Sequence, residues 1–287
     1  MSEARTIGGY TLGERLGEGH GGSVHAAEKD GEAVALRLLG ERLDGPRARE
    51  ARILARRIHP CVARLLDSGL DEACTDHGEA GTAYLVTELC TGPSLDAWLR
   101  AKPRDWRAIV SVFVDVGEGL AVAHVRGLTH RNFKAGNVLF ATEADAEDED
   151  ARPRIVDFAL PHIPEDAAPG HLAPELGSGK PATAASDQYA YASALLQALD
   201  GKTTRLTGGK PTDAILDPLM RALATNPGKR WGDLHDLVAK LRRAIGEETE
   251  VVAKEDEAAP NRRRVWLLLG LLIAAATMAG GAFAGWY

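Results

Sequence analysis

Apolar and polar residues alternate along the first third of the chain, which is typical of β-strands joined by glycine turns. The alternation predicts strands over 10–16, 32–38, 62–66 and 83–89, with a charged helix over 47–57. From residue 95 onward the apolar spacing becomes helical. It predicts helices over 105–126, 186–199, 214–225 and 231–245, and two short strands at 138–140 and 154–156. A strand-rich smaller half thus precedes a helix-rich larger half, which indicates an α+β fold.

The segment 265–287 is a run of 23 residues without a charged side chain. As a helix it would be about 34 Å long, against about 30 Å of bilayer hydrocarbon. Three arginines at 262–264 precede it, and the positive-inside rule then places residues 1–264 in the cytoplasm. The alternative is a buried core helix. We expect a single-pass protein of the cytoplasmic membrane, with 246–264 as an acidic, then basic, linker. If the natural chain ends at Tyr287, this topology leaves no domain outside.

Composition narrows the class of protein. The formal charge is −7, which argues against a nucleic-acid binder because such domains usually carry a basic surplus. Hydrophobic residues make up 45% of the chain, enough for a core. Its three cysteines, Cys61, Cys74 and Cys90, have no tight spacing, so neither a disulfide scaffold nor a cysteine zinc site is expected. The first residues contain no apolar run, so we expect no secretory signal peptide.

A glycine-rich segment at 17–24 fits the pattern G-x-G-x-x-G-x-V, with Gly17, Gly19 and Gly22 as its glycines. Glycines let the backbone approach a phosphate closely. A dinucleotide-binding fold would place a helix after this loop. Here a second strand follows and ends in Val-Ala-Leu-Arg at 34–37, an arrangement that resembles the glycine-loop hairpin of a protein kinase.

Later motifs arrive in the kinase order. HRNFKAGN at 130–137 resembles a catalytic loop, DFA at 157–159 the metal-binding triplet, and APE at 173–175 the end of an activation segment. DQYA at 187–190 resembles the start of the buried central helix, and NPGKR at 226–230 the site of the arginine that pairs with the APE glutamate. Glu50 matches the glutamate of the αC helix. The chain resembles the bacterial membrane-anchored serine/threonine protein kinases over residues 9–245.

This resemblance implies a bilobal protein kinase-like fold with an N-lobe at about 9–89, a C-lobe at about 90–245 and one C-terminal transmembrane helix. It also implies ATP and Mg²⁺ as cofactors, with Asn137 and Asp157 as metal ligands and Lys134 near the γ-phosphate. Val24, Ala35 and Leu139 would sandwich the adenine, although all three would also serve as ordinary core. Thr87 resembles the gatekeeper, and the backbone from Glu88 to Cys90 the hinge that meets the base.

The chain differs from the kinase motifs at positions that take part in catalysis. An active kinase has an aspartate where this chain has Asn132, and an amide has no useful basicity near neutral pH. General-base help is worth typically 10²–10⁴-fold, or roughly 3–5 kcal/mol. The strand lysine is replaced by Arg37, which keeps the charge but not the shape. Arg37 is expected either to pair with Glu50 or to fill the slot as a surface arginine. Ala159 in place of glycine is a mild change.

The substrate-binding side is also reduced. The activation segment looks short, and no Ser, Thr or Tyr lies between Phe158 and Leu172, so this loop cannot be switched on by its own phosphorylation. Little helical pattern is found between Leu199 and Asp213, where the family uses a helix to dock partners.

Three functions remain open on these grounds. The first is an ATP-binding pseudokinase that acts as a membrane-tethered scaffold or regulator, with Mg²⁺-dependent nucleotide binding. The second is a weakly active serine/threonine kinase, and the third is an interaction module with an empty cleft. The expected partners are ATP, the membrane through 265–287 and unidentified signalling proteins, but not nucleic acid. Thr277, Gly281 and Gly285 recur every four residues and make a homodimer through this face possible.

Overall fold

The structure is a computed structural model of the chain. It describes residues 5–19, 22–39, 45–72, 81–148, 152–158, 172–202 and 204–258. The chain separates into two compact units, 1–242 and 243–287, and each is described by itself. The predicted membrane span at 265–287 lies outside the described residues, as do Cys74 and most of the activation segment.

Six antiparallel strands form the sheet of the N-lobe, in the order β1-β2-β3-β4-β6-β5. They are β1 (Thr6–Ile7), β2 (Tyr10–Gly19), β3 (Gly22–Lys29), β4 (Glu32–Leu39), β5 (Leu65–Asp71) and β6 (Thr82–Glu88), with helix α1 (Gly45–Leu54) between β4 and β5. Val34, Leu36 and Leu38 alternate along β4 and are all buried, as the period of a strand requires. The predicted strand at 62–66 begins only at Leu65; Val62 instead makes an isolated bridge to Ile155.

Helices dominate the C-lobe. They are α2 (Leu95–Ala101), α3 (Trp106–Val125), α4 (Pro174–Gly177), α5 (Ala184–Leu199), α6 (Asp213–Ala222) and α7 (Leu234–Ala258). Four two-residue strands pair as β7 (Arg104–Asp105) with β10 (Leu206–Thr207) and β8 (Val138–Leu139) with β9 (Arg154–Ile155). Between Asp200 and Thr212 the described residues contain no helix, in agreement with the weak helical pattern there.

Helices α3 and α5 form the centre of the C-lobe. The carboxylate of Asp105 accepts from the N–H of Arg107 at 2.8 Å and caps α3. Gly117 on α3 leaves room for Tyr191 of α5, since a Cβ there would lie 2.8 Å from the tyrosine oxygen. The Tyr191 hydroxyl donates to the carbonyl of Phe113 at 2.7 Å, and both rings are fully buried. The two helices are thus joined by packing and by a buried hydrogen bond.

Among the described residues, α3 has the length and apolar character of a membrane span. More than half of its most apolar window is buried inside the domain, so α3 is the core helix of the C-lobe. Helix α7 extends to Ala258, so residues 246–258, which lack periodicity and were expected to form a linker, are helical.

Candidate functional site

A cavity of about 550 Å³ lies between the N-lobe sheet and the loop that follows α3. Its lining includes nine of the residues singled out from the sequence: Gly17, Val24, Ala35, Arg37, Glu88, Cys90, Asn137, Leu139 and Asp157. Thr87, the expected gatekeeper, also lines it. Val24 and Ala35 come from adjacent strands and Leu139 from β8. Apolar side chains from two lobes therefore line one cavity that is large enough for a nucleoside.

Two predicted glycines of the β2–β3 hairpin have different roles. A Cβ on Gly17 would meet nothing within 4 Å, so the backbone at this position is open to a ligand. Gly22 has φ +101°, and a Cβ there would lie 1.7 Å from the carbonyl oxygen of Leu38. Gly22 is therefore required by the close approach of β4, whatever binds in the cleft.

In the hinge segment, the side chain of Glu88 is already bound by other parts of the protein. The carboxylate of Glu88 accepts from the N–H of Arg64 at 3.0 Å and lies 3.5 Å from Arg154 and 3.8 Å from Arg57. Its side chain is thus engaged by three arginines, which leaves the backbone as the part that can meet a base. Burial, followed by the nearby charge of Glu88, raises the pKa of Cys90 to about 11, so this thiol stays neutral.

Asp187, at the start of α5, holds the catalytic loop. One carboxylate oxygen accepts from the N–H of His130 at 2.6 Å, and the other accepts from the N–H of Arg131 at 2.9 Å. His124 of α3 lies 2.9 Å from the same carboxylate. The sequence placed Asp187 at the head of a buried helix but did not reveal this role. An acid in the first turn of an otherwise apolar helix was the available signal.

His130 is fully buried beneath the cleft. Burial lowers its pKa, so the imidazole is neutral; Nε2 lies 2.9 Å from the carbonyl of Val156, and Nδ1 lies 3.3 Å from the N–H of Asn132. Its ring packs against Phe158 at 4.7 Å between centroids. These contacts fix the loop that carries Asn132. Asn132 and Lys134 are both half-buried and are not part of the cavity lining.

Asn137 closes the loop. It is only 7% exposed, and its Nδ2 donates to the carbonyl of Asn132 at 2.9 Å, which leaves the side-chain oxygen as an acceptor. A short 3-10 helix at Ala135–Asn137 turns it toward the cavity. This arrangement fits one ligand of Mg²⁺, which prefers oxygen donors.

Two arginine–carboxylate pairs cross the cleft, and neither is the expected Arg37–Glu50 pair. Nη2 of Arg37 donates to Oδ1 of Asp157, while Arg131 binds both oxygens of Glu50, one of them at 2.9 Å. Arg37 is 14% exposed, so it is not a surface side chain. The second expected metal ligand, Asp157, therefore already carries a cation of the protein itself.

The residues of these pairs include two in a left-handed backbone conformation. Arg131 has φ +70° and Asp157 has φ +66°. Non-glycine residues held there cost about 1–3 kcal/mol and cluster at functional sites. The N–H bond to Asp187 holds Arg131, and the salt bridge from Arg37 holds Asp157.

Glu175 and Arg230 form the buried pair that the motifs predicted. Two bonds of 2.7 Å join the carboxylate to the guanidinium, and neither side chain is more than 6% exposed. Burial alone would raise the pKa of Glu175, but the hydrogen bonds from Arg230 and from its own backbone outweigh it and lower that pKa. The pair ties the end of the activation segment to the base of the C-lobe.

The cavity wall also contains residues that the sequence did not single out, among them Leu54 and Leu65. Leu54 follows Glu50 by one helical turn, so the i, i+4 spacing was the signal that could have identified it. Leu65 begins a strand whose partner is set by the fold, so no local pattern marks it.

An antiparallel N-lobe and a helical C-lobe that enclose a glycine-edged cavity are the architecture of protein kinases. A family model described as "Protein kinase domain" matches residues 10–241, and the chain belongs to that family. It is 29% identical over 279 residues to serine/threonine-protein kinase PkaB of Streptomyces coelicolor, covering 90% of this chain and 65% of that protein. It is 30% identical over 277 residues to serine/threonine-protein kinase PknA of Mycobacterium tuberculosis, covering 82% of this chain and 62% of that protein. The chain thus spans less than two thirds of the length of these curated relatives.

Among solved structures, the PknI kinase domain of Mycobacterium tuberculosis superposes with a TM-score of 0.66 at 22% identity. The match covers 85% of this chain and 99% of that domain. At this identity it supports the bilobal fold and nothing finer.

Proposed function

We propose that the chain is an ATP-binding pseudokinase that acts as a membrane-tethered scaffold or regulator. The observation that carries the proposal is Asn132, which stands in a loop whose supports are all in place. Asp187, His130 and Asn137 hold this loop as an active enzyme would need it held. The general base is therefore missing from a loop that is itself held in place, and the pairing of Arg37 with Asp157 is a second departure beside it.

Retention of ATP is supported by the cavity. Its volume of about 550 Å³ falls in the range of small-molecule sites, and its walls combine apolar side chains with a few polar groups. Val24, Ala35 and Leu139 would enclose the base, and the open backbone at Gly17 would lie near the phosphates.

Mg²⁺ at this site would have the side-chain oxygen of Asn137 as a ligand, and it could use Asp157 only by displacing Arg37 from that carboxylate. When bound, Mg²⁺ would neutralise phosphate charge. Asn137 fits this role without rearrangement, whereas Asp157 does not.

Tethering and partners rest on the sequence alone. The uncharged segment 265–287 behind three arginines supports a single membrane anchor with the kinase-like domain in the cytoplasm. Gly281 and Gly285 would let two anchors pack closely, which would bring two domains together as a homodimer. A regulatory role is supported by the region where a kinase binds its protein substrate. The activation segment there has no Ser, Thr or Tyr that can be phosphorylated, and the described residues at 200–212 form no helix.

The test uses the purified full chain and its Asp157→Ala variant. ATP should raise the melting temperature, since a ligand that binds only the folded state stabilises it by about 2.7 kcal/mol at a hundred times its Kd. Phosphate transfer from labelled ATP to itself or to a general protein substrate should stay at background. Robust transfer by the wild type that Asp157→Ala abolishes would disprove the pseudokinase. No thermal shift at saturating ATP would favour the empty-cleft module.

A weakly active serine/threonine kinase is the second candidate. It is favoured by the intact Glu175–Arg230 pair and by the retained Asn137 and Lys134. Phosphoryl transfer relies mostly on positioning and charge, so loss of the base lowers the rate without having to abolish it.

A further inference from the structure

The salt bridge between Arg37 and Asp157 has a consequence for how the cleft takes its ligand. Resting on the proposed nucleotide binding, we propose that the guanidinium of Arg37 is a built-in cation that replaces Mg²⁺ between Asp157 and the phosphates, so that the cleft binds adenine nucleotide without a divalent metal.

The first argument is the geometry of the guanidinium. Arginine carries five N–H donors in a planar fork and stays charged at every physiological pH. Only Nη2 is engaged with Asp157. Arg37 lines the cavity, and its donors other than Nη2 would be available to phosphate oxygens while the carboxylate stays bound. A guanidinium that bridges this carboxylate and a phosphate takes the metal's position there, with one positive charge in place of two.

The second argument is that Arg37 has no described alternative partner to move to. Glu50, the carboxylate that would draw it away, is bound through both of its oxygens by Arg131. Among the residues that the structure describes, the salt bridge recorded for Arg37 is the one with Asp157.

The third argument concerns the cost of admitting the metal. The side chains of Arg37 and Asp157 are 14% and 24% exposed, so solvent screens their attraction less than at the surface. Mg²⁺ dehydrates reluctantly and demands near-octahedral oxygen ligands. To use Asp157 it must displace the guanidinium and then remain beside it, where the two cations repel. The guanidinium already beside Asp157 can contact a phosphate without that exchange.

The test is calorimetric titration of the full chain with ATP, once in excess EDTA and once in saturating Mg²⁺. The wild type should bind in both, with Kd values within about threefold of each other. Arg37→Ala removes the bridging cation and frees Asp157 for metal, so binding in EDTA should weaken by about tenfold or more while Mg²⁺ restores it. Arg37→Lys, with a compact and strongly hydrated charge, should shift the preference toward Mg²⁺ in the same direction. Arg242→Lys is the control, because its guanidinium pairs with Glu118 outside the cavity.

The outcomes separate this inference from the proposed function. A wild type that binds ATP only with Mg²⁺, or an Arg37→Ala variant weakened equally in both conditions, would overturn the built-in cation and leave nucleotide binding intact. Absence of ATP binding by the wild type and by Arg37→Lys in both conditions would overturn the nucleotide site itself. Melting curves of each variant without nucleotide identify any that fail to fold, and Arg37→Lys then decides the comparison because it preserves charge and length.

Discussion

At the scale of single residues, the cleft combines intact supports with altered reacting groups. Asp187 and His130 maintain the catalytic loop through backbone hydrogen bonds that do not depend on the identity of residue 132. Asn132 can thus stand in a correctly held loop and still lack a base. Arg37 likewise keeps a positive charge in the cavity but directs it to Asp157.

A first prediction is that Asn132→Asp restores little phosphate transfer. A general base alone contributes typically 10²–10⁴-fold, but Arg37 would still occupy Asp157, so we expect a gain below about tenfold. Labelled ATP and a general protein substrate measure it, with Asn132→Asp combined with Asp157→Ala as the background. A gain of about a hundredfold or more would mean that the lost base is the whole defect.

A second prediction compares two glycines with positive φ. Gly22→Ala places a methyl group on the carbonyl of Leu38 and should destabilise the fold by about 3 kcal/mol or more. Gly31 has φ +81° but open space, so Gly31→Ala should cost about 1–2 kcal/mol through backbone strain alone. Urea unfolding measures both. Equal losses would show that the contact with β4 does not matter.

At the scale of elements, the pattern of the chain predicted most strands and helices but not the pairing of charges across them. The predicted helix over 105–126 is α3, Trp106–Val125, because a long apolar stripe and an Asp105 cap are local signals. By contrast, Arg37 and Glu50 each pair with a residue that is far away in the sequence, so no local pattern indicates these pairs. Which guanidinium reaches which carboxylate depends on how α1, β4 and the catalytic loop meet in space. The same limit applies to Leu65, whose place in the cavity wall follows from sheet order.

A third prediction concerns the link between α4 and the loop before α7. Arg230→Ala leaves the buried carboxylate of Glu175 without its partner and should cost about 3–5 kcal/mol of unfolding free energy. Arg242→Ala removes a half-exposed pair with Glu118 and should cost about 1 kcal/mol or less. Urea unfolding compares them. Losses of equal size would contradict the special role of the buried pair.

A fourth prediction is the pH dependence of that link. Because folding lowers the pKa of Glu175, its contribution is complete above the ordinary value of 4.5 and is lost as the pH falls through the lowered value. The stability gap between the wild type and Glu175→Gln should therefore narrow as the pH drops below 4.5. Unfolding curves at several pH values measure it. A gap that widens on acidification would reverse the sign of the shift.

At the scale of the whole molecule, the kinase-like unit and the C-terminal segment are separate parts of the chain. The family match ends at residue 241 and the first compact unit ends at Arg242. Among the described residues, the lining of the cavity and the contacts that hold the catalytic loop all lie before that point. For the segment after it, a role as membrane anchor is a prediction from the sequence alone.

A fifth prediction is that residues 265–287 hold the chain in a membrane. The full chain should sediment with membranes and resist alkaline extraction, whereas a chain ending at residue 264 should be released. Protease added outside intact cells should leave residues 1–264 undigested, since the arginines at 262–264 favour the cytoplasmic side. Digestion of the kinase-like unit from outside would contradict this topology, and release of the full chain by alkali would contradict the anchor.

The burial of α3 against α5 also bears on how the protein is made. Helix α3 is complete at Val125, but the helix that supplies Tyr191 against it begins at Ala184, about 60 residues later. At 5–20 residues per second, roughly 3–12 s of translation separate the two. For that interval the nascent chain exposes a helix apolar enough to be mistaken for a membrane span. Until α5 has been synthesised, α3 lacks the helix that buries it, so the core of the C-lobe cannot be completed before that point.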